Sequence, residues 1–162
     1  MFTSALGLQA PWAVLDVKLD TAKYRINFEV ECKSASLVCP SYGAAGQRIH
    51  DRKQRAWQHL DFCQFEAWLH AGVPRVACSA CGKTSQLPVA WAREGSGFTL
   101  LFEALALALY QGLPVRQATR LLRLRGKQLW GRIEHYVAEA RRKQDMSKVR
   151  IVGIDETSLR RG

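Results

Sequence analysis

The chain has no apolar run long enough to cross a bilayer. Its longest, Phe98 to Tyr110, is interrupted by Glu103 and falls short of the ~18 residues a span needs. A basic n-region is missing from the opening MFTSALGLQAPWAVLDVKLD, so no secretory leader is expected and the reducing cytoplasm is the expected compartment. Cysteine is sparse and odd in number, five in 162 residues, which argues against a disulfide framework. Acidic residues are few: 14 against 24 lysines and arginines, for a formal net charge of +10. That imbalance favours polyanionic partners, and with no spanning run no membrane partner is expected.

What is present suffices for one ordinary domain or two to three small ones. Residues 1–38 read as a short lead and a β-hairpin. Trp12 to Asp20 alternates imperfectly, Thr21-Ala22-Lys23 is a turn candidate, and Tyr24, Ile26, Phe28 and Val30 share one face of a second strand. A lone hairpin is marginal in water, so this one is expected to join strands from the next segment.

Residues 39–94 hold the cysteine constellation. Cys78-Ser-Ala-Cys81-Gly82 is half of a zinc ribbon or knuckle: two thiolates reach one tetrahedral ion, and the glycine relieves the turn so that backbone amides face the sulfurs. A redox Cys-x-x-Cys usually opens a helix, whereas Gly82-Lys-Thr-Ser-Gln is a poor helix start. The partner knuckle, Cys39-Pro-Ser-Tyr42-Gly43, carries Tyr42 where a second cysteine would stand. Cys39, Cys78 and Cys81 therefore supply three zinc ligands, with His50 the best candidate for the fourth. Cys32 and Cys63 read as buried small hydrophobes, and His59 and His70 as packed or surface residues. Pro88 to Gly97 is rich in breakers and reads as a linker.

The last third is helical and basic. Phe98, Leu101, Phe102, Leu105 and Leu109 make one amphipathic stripe. Gly112-Leu113-Pro114 stops it and starts a second helix with Val115, Ala118, Leu121 and Leu122 on its stripe. After Leu124-Arg125-Gly126 a third helix turns Leu129, Ile133, Val137 and Ala140 inward. Two helices joined by a few residues including glycine, the second longer and basic, form a helix-turn-helix pattern. Candidate contacts to double-stranded DNA are Arg116, Arg120, Arg123, Arg125, Lys127, Gln128 and Arg132. Cations hold phosphates, and polar groups at the start of a recognition helix reach base edges. An ordinary three-helix bundle with a solvated basic face is the competing reading. The chain closes on VRIVGIDETSLRRG, a β-branched run ending in Asp155. Carboxylates at strand ends suit two-metal phosphoryl transfer, but one aspartate holds no metal pair and could equally be a turn residue.

Together these pieces resemble the N-terminal part of the ISL-three family of insertion-sequence transposases. The matching runs are WQHLDF (57–62), VPRVACSACG (73–82), GSGFTLLFEALALAL (95–109), LW (129–130) and VGIDETSLRRG (152–162). The resemblance implies an α+β chain with a β-hairpin region (1–38), a zinc-ribbon-like domain (39–94) and an all-α helix-turn-helix domain (95–146). A truncated first strand of an RNase H-like DDE domain (147–162) would come last. It implies a structural Zn²⁺ on Cys39, Cys78 and Cys81, and Asp155 as the first acid of the DDE triad, with Mg²⁺ needed only by a full-length enzyme. Terminal inverted repeats are the implied DNA target, and a homodimer the implied state of the full-length protein in the bacterial nucleoid. Since the family's second Asp and its Glu lie beyond residue 162, the chain as given is expected to be inactive in cutting or joining DNA. A stand-alone helix-turn-helix regulator is the alternative function.

Overall fold

The computed structural model of the chain describes residues 2–124, 126–145, 147 and 150, with backbone alone at 126–129 and 132. Asp155 and the strand expected around it, and Arg125, lie outside the described residues. The chain forms two compact units, Met1–Pro114 and Val115–Gly162.

The first unit is built on a mixed five-stranded sheet. After a short helix α1 (Phe2–Ala5), β1 (Trp12–Asp20) and β2 (Arg25–Cys32) pair as the expected hairpin. The imperfect alternation of β1 has a local cause. Val14 faces Val30 and Asp16 faces Glu29, so Leu15 is the extra residue of a β-bulge, turned out to solvent. On β2, Ile26, Phe28 and Val30 are buried as the period of two requires, while Tyr24 stays in the exposed turn.

Beyond the hairpin lie two long strands that the sequence patterns do not announce: β3 (Arg48–Gln58) and β4 (Glu66–Ala77). The central strand β4 runs parallel to β2 and antiparallel to β3, and the short strand β5 (Thr84–Gln86) pairs with its end at Arg75–Ala77. The order is β1-β2-β4-β3, with β5 off that path. Segments 1–38 and 39–94 thus share one sheet. Alternate residues Ala67, Leu69, Ala71 and Val73 of β4 point into a core with Phe28, Trp57 and Trp91; the two indoles meet edge-on at 5.5 Å. Cys32 is buried as expected. Cys63 is exposed, because it sits at φ 55° in the β3–β4 connection rather than in a packed element.

The breaker-rich stretch before α2 (Leu100–Gly112) is not a loose linker. Trp91 and Ala92 lie in the core and Ser96 is fully buried. The Gln58 amide donates to the Gly97 carbonyl (2.9 Å), and the Thr99 amide donates to the Gln58 carbonyl (3.0 Å). Phe98 and Phe102 of the expected stripe are buried, but α2 buries Glu103 and Ala106 beside Phe102, while Leu101 and Leu105 are exposed. The face is chosen by Glu103, whose carboxylate accepts two hydrogen bonds from Arg93 at 2.9 Å and one from the Ser96 hydroxyl at 2.7 Å. A carboxylate so paired tolerates a buried position that apolar content alone would not assign.

The second unit holds α3 (Val115–Leu121) and α4 (Gly126–Lys143). Ala118, Leu122 and Ile133 are buried, whereas Leu121 and Val137, expected to face inward, are exposed. Among the described residues no helix is long and apolar enough to cross a membrane.

Candidate metal centre and nucleic-acid interface

Sheet register assembles the thiols. In the antiparallel β3–β4 pair, Arg48 lies opposite Ala77. The loop before β3 and the loop after β4 therefore leave the same end of the sheet. The first loop is closed by Leu37 and Gln47, whose backbones exchange hydrogen bonds, and it carries Cys39. The second carries Cys78 and Cys81 in the β4–β5 hairpin. The three Sγ atoms lie within 4.8 Å of one another, and Cys39 and Cys81 are 3.9 Å apart. A tetrahedral ion with Zn–S bonds of ~2.3 Å separates its sulfurs by about 3.8 Å. Three soft donors at this spacing fit zinc, which would cross-link the two loops when bound.

The two loops have the same backbone. The Gly43 amide donates to the Cys39 carbonyl (2.8 Å), and the Cys39 amide donates to Ala44 (2.9 Å). Likewise the Gly82 amide donates to the Cys78 carbonyl (2.9 Å), and the Cys78 amide donates to Lys83 (3.0 Å). Gly43 (φ 77°) and Gly82 (φ 68°) occupy the left-handed region, which a side chain would strain. The Cys81 amide facing its sulfur, and to a smaller extent that of Ala80, holds the Cys78 thiol below its ordinary range, the state a metal ligand needs. At Cys81 the Lys83 amide also favours the thiolate, but burial and the neighbouring thiols outweigh it and raise the pKa.

His50 is not part of this centre. β3 slips register between Ile49 and Asp51, so His50 is a bulge residue, half exposed, with Nδ1 3.4 Å from Asp51 Oδ2. Among the described residues no His, Cys, Asp or Glu joins the three thiols as a fourth ligand. Gln47, which sequence reasoning missed, has a clear role instead. Its amide nitrogen donates to Ala45 (2.9 Å) and its Oε1 accepts from the Ser79 amide (3.0 Å), which ties one knuckle to the other without metal. No local pattern marks it, because its partner lies 32 positions away.

The remaining histidines of the sheet unit are structural. Burial lowers the pKa of His59, whose Nδ1 sits 2.9 Å from Thr99 Oγ1, and that hydroxyl oxygen in turn accepts from the Phe102 amide to cap α2. His70 Nε2 lies 3.0 Å from Asn27 Oδ1.

The basic candidates gather on the second unit. Arg116 and Arg120 are exposed on α3. At its end the Arg123 amide donates to Arg120 and the Leu124 amide to Thr119, the paired bonds of a Schellman C-cap. The left-handed position of that cap, usually glycine, is Arg123 at φ 53°. Lys127, Gln128 and Arg132 are placed by their backbone on the first two turns of α4. Arg141, Arg142 and Lys143 close α4, where cations complement the helix dipole, and Lys143 pairs with Glu139 at 3.0 Å.

A cysteine-knuckle pair on a mixed sheet, with two helices about a tight cap C-terminal to it, defines a zinc-ribbon and helix-turn-helix protein. Residues 36–81 match the family described as the zinc-finger of transposase IS204/IS1001/IS1096/IS1165, and residues 87–137 match the helix-turn-helix domain of transposase family ISL3. The chain is 26% identical over 168 aligned positions to the transposase for insertion sequence element IS1557 of Mycobacterium tuberculosis, strains CDC 1551 / Oshkosh and ATCC 25618 / H37Rv. That match covers 99% of this chain and 38% of the relative, so the chain spans well under half the relative's length. No solved structure matches the chain significantly. The chain belongs to the ISL3 family of transposases and corresponds to its N-terminal part.

Proposed function

We propose that this chain binds double-stranded DNA through α3 and α4, and that within a transposase it recognises the terminal inverted repeats of its own insertion sequence. The α3–α4 pair about the Arg123 cap carries this reading. It presents Arg116 and Arg120 on one helix and places Lys127, Gln128 and Arg132 at the start of the next. In that geometry the α3 arginines hold phosphates and set the register of α4. In this reading Gln128 and Arg132, on the first two turns of α4, take the roles of reading adenine and guanine edges in the major groove. Zinc on Cys39, Cys78 and Cys81 keeps the sheet unit in shape. Asp155 takes the role of the first Mg²⁺-binding carboxylate of strand transfer, and the working transposase is a homodimer.

Fluorescence anisotropy on an element-end duplex and a scrambled duplex, across a salt series, tests the reading. The expected result is a large preference for the end sequence at about 150 mM salt. Replacing Arg116 and Arg120 by Ala should weaken binding to both duplexes and flatten the salt slope by about 0.9 for each phosphate the variant no longer neutralises. Gln128→Ala should act on the end sequence alone. Equal affinity for both duplexes would overturn end recognition, and an unchanged slope would move the α3 arginines off the DNA.

A further inference from the structure

We propose that the metal centre of this chain is coordinatively open: three thiolates hold the ion, and the fourth position takes a small thiol donor from solution. This goes beyond the DNA-binding reading and does not depend on it.

The duplicated knuckle carries the inference. Both loops fold the same backbone turn, with the same two hydrogen bonds and a left-handed glycine after the fourth residue. In the second loop that fourth residue is Cys81, a member of the cluster. In the first it is Tyr42, which is 66% exposed. The turn that would present a fourth sulfur is therefore built, and its residue carries a phenol instead. Nothing nearby replaces the thiol: His50 faces Asp51, and no other His, Cys, Asp or Glu among the described residues reaches the cluster. The Gln47 bridge between the loops and the 3.0 Å contact of Ser41 Oγ with Ser85 Oγ brace the two knuckles against each other. Tetrahedral zinc with three protein ligands keeps a position for an exogenous one, and three soft donors favour a soft fourth.

Cobalt(II) replaces zinc as a spectroscopic probe, on the full chain and on its Tyr42→Cys and Tyr42→Phe variants, with β-mercaptoethanol as the added donor. For the parent chain we expect a tetrahedral cobalt spectrum that changes saturably as thiol is added. Tyr42→Cys should show a four-thiolate spectrum at once and ignore added thiol. It should also bind zinc more tightly, on the order of a hundredfold, in competition with a chromophoric chelator. Tyr42→Phe should match the parent. A parent spectrum indifferent to thiol would show a site already closed. A changed spectrum in Tyr42→Phe would make the phenol oxygen the fourth ligand. Failure of the parent to bind cobalt or zinc would remove the centre. Each of these three results overturns the proposal. Far-UV circular dichroism of each variant shows whether the fold is kept, and Tyr42→Phe, which leaves the knuckle backbone unchanged, keeps the test decisive if Tyr42→Cys misfolds.

Discussion

The sheet unit and the helical pair treat charge in opposite ways. In the first, Glu103 is 1% exposed, gripped by Arg93 and Ser96, and Gln47 and His59 are likewise buried and hydrogen-bonded. In the second, the arginines of α3 stand in solvent, and Arg123 occupies a backbone position where an L-residue is strained. Buried polar groups must be paired or they cost free energy. Exposed cations carry no such requirement and can meet a polyanion. The buried charge of the sheet unit therefore specifies structure, and the exposed arginines of α3 are the ones left for the proposed DNA contact.

That contrast can be broken most sharply at Glu103. Glu103→Gln leaves the Arg93 guanidinium with a neutral partner in a mostly buried setting, and the expected loss is about 3–5 kcal/mol in the unfolding of the sheet unit. A chemical-denaturation midpoint equal to the parent's would remove the distinction between the units. The pH response of His59 comes next. Burial depresses its folded pKa below the ordinary 6.5, so the unfolded chain binds more protons between the two values. Stability is thus whole above about pH 6.5 and falls on acidification, by at most about 1.4 kcal/mol per pH unit for one proton. Melts of the parent and His59→Gln from about pH 7.5 down to about pH 5 should differ in slope; identical slopes would place the proton uptake elsewhere. The smallest effect is expected at the cap. Arg123→Gly relieves a left-handed side-chain conformation and should stabilise the helical pair by about 1 kcal/mol while weakening DNA binding. A variant both more stable and equally tight would make Arg123 an accident of the turn.

Much of this is legible residue by residue. The hairpin can be read from alternation, α3 and α4 from their apolar spacing and breakers, and the Cys78 knuckle from its five-residue pattern. Each depends on contacts within a few positions, which local sequence encodes. Apolar spacing places Phe98 and Phe102 in the core correctly but errs at Leu101 and Leu105, because Glu103 takes a buried position beside an ion-pair partner ten positions earlier. The Pro88–Gly97 stretch misleads for a similar reason. Its breakers are real, but Trp91 anchors it edge-on against Trp57, far back in the chain, and no local pattern records that packing.

The metal centre divides most cleanly. Sequence by itself determined the two knuckles, because a Cys and a left-handed glycine four positions on dictate the turn and its two hydrogen bonds. It also determined that Tyr42, not a thiol, stands at the fourth ligand position. Only the tertiary structure decided that Cys39 joins Cys78 and Cys81 and that His50 does not. The β3–β4 register brings Arg48 and Ala77 opposite each other, and the bulge beside them turns His50 toward Asp51. Strand register is set by packing across the whole sheet, and no stretch of the chain carries that information alone.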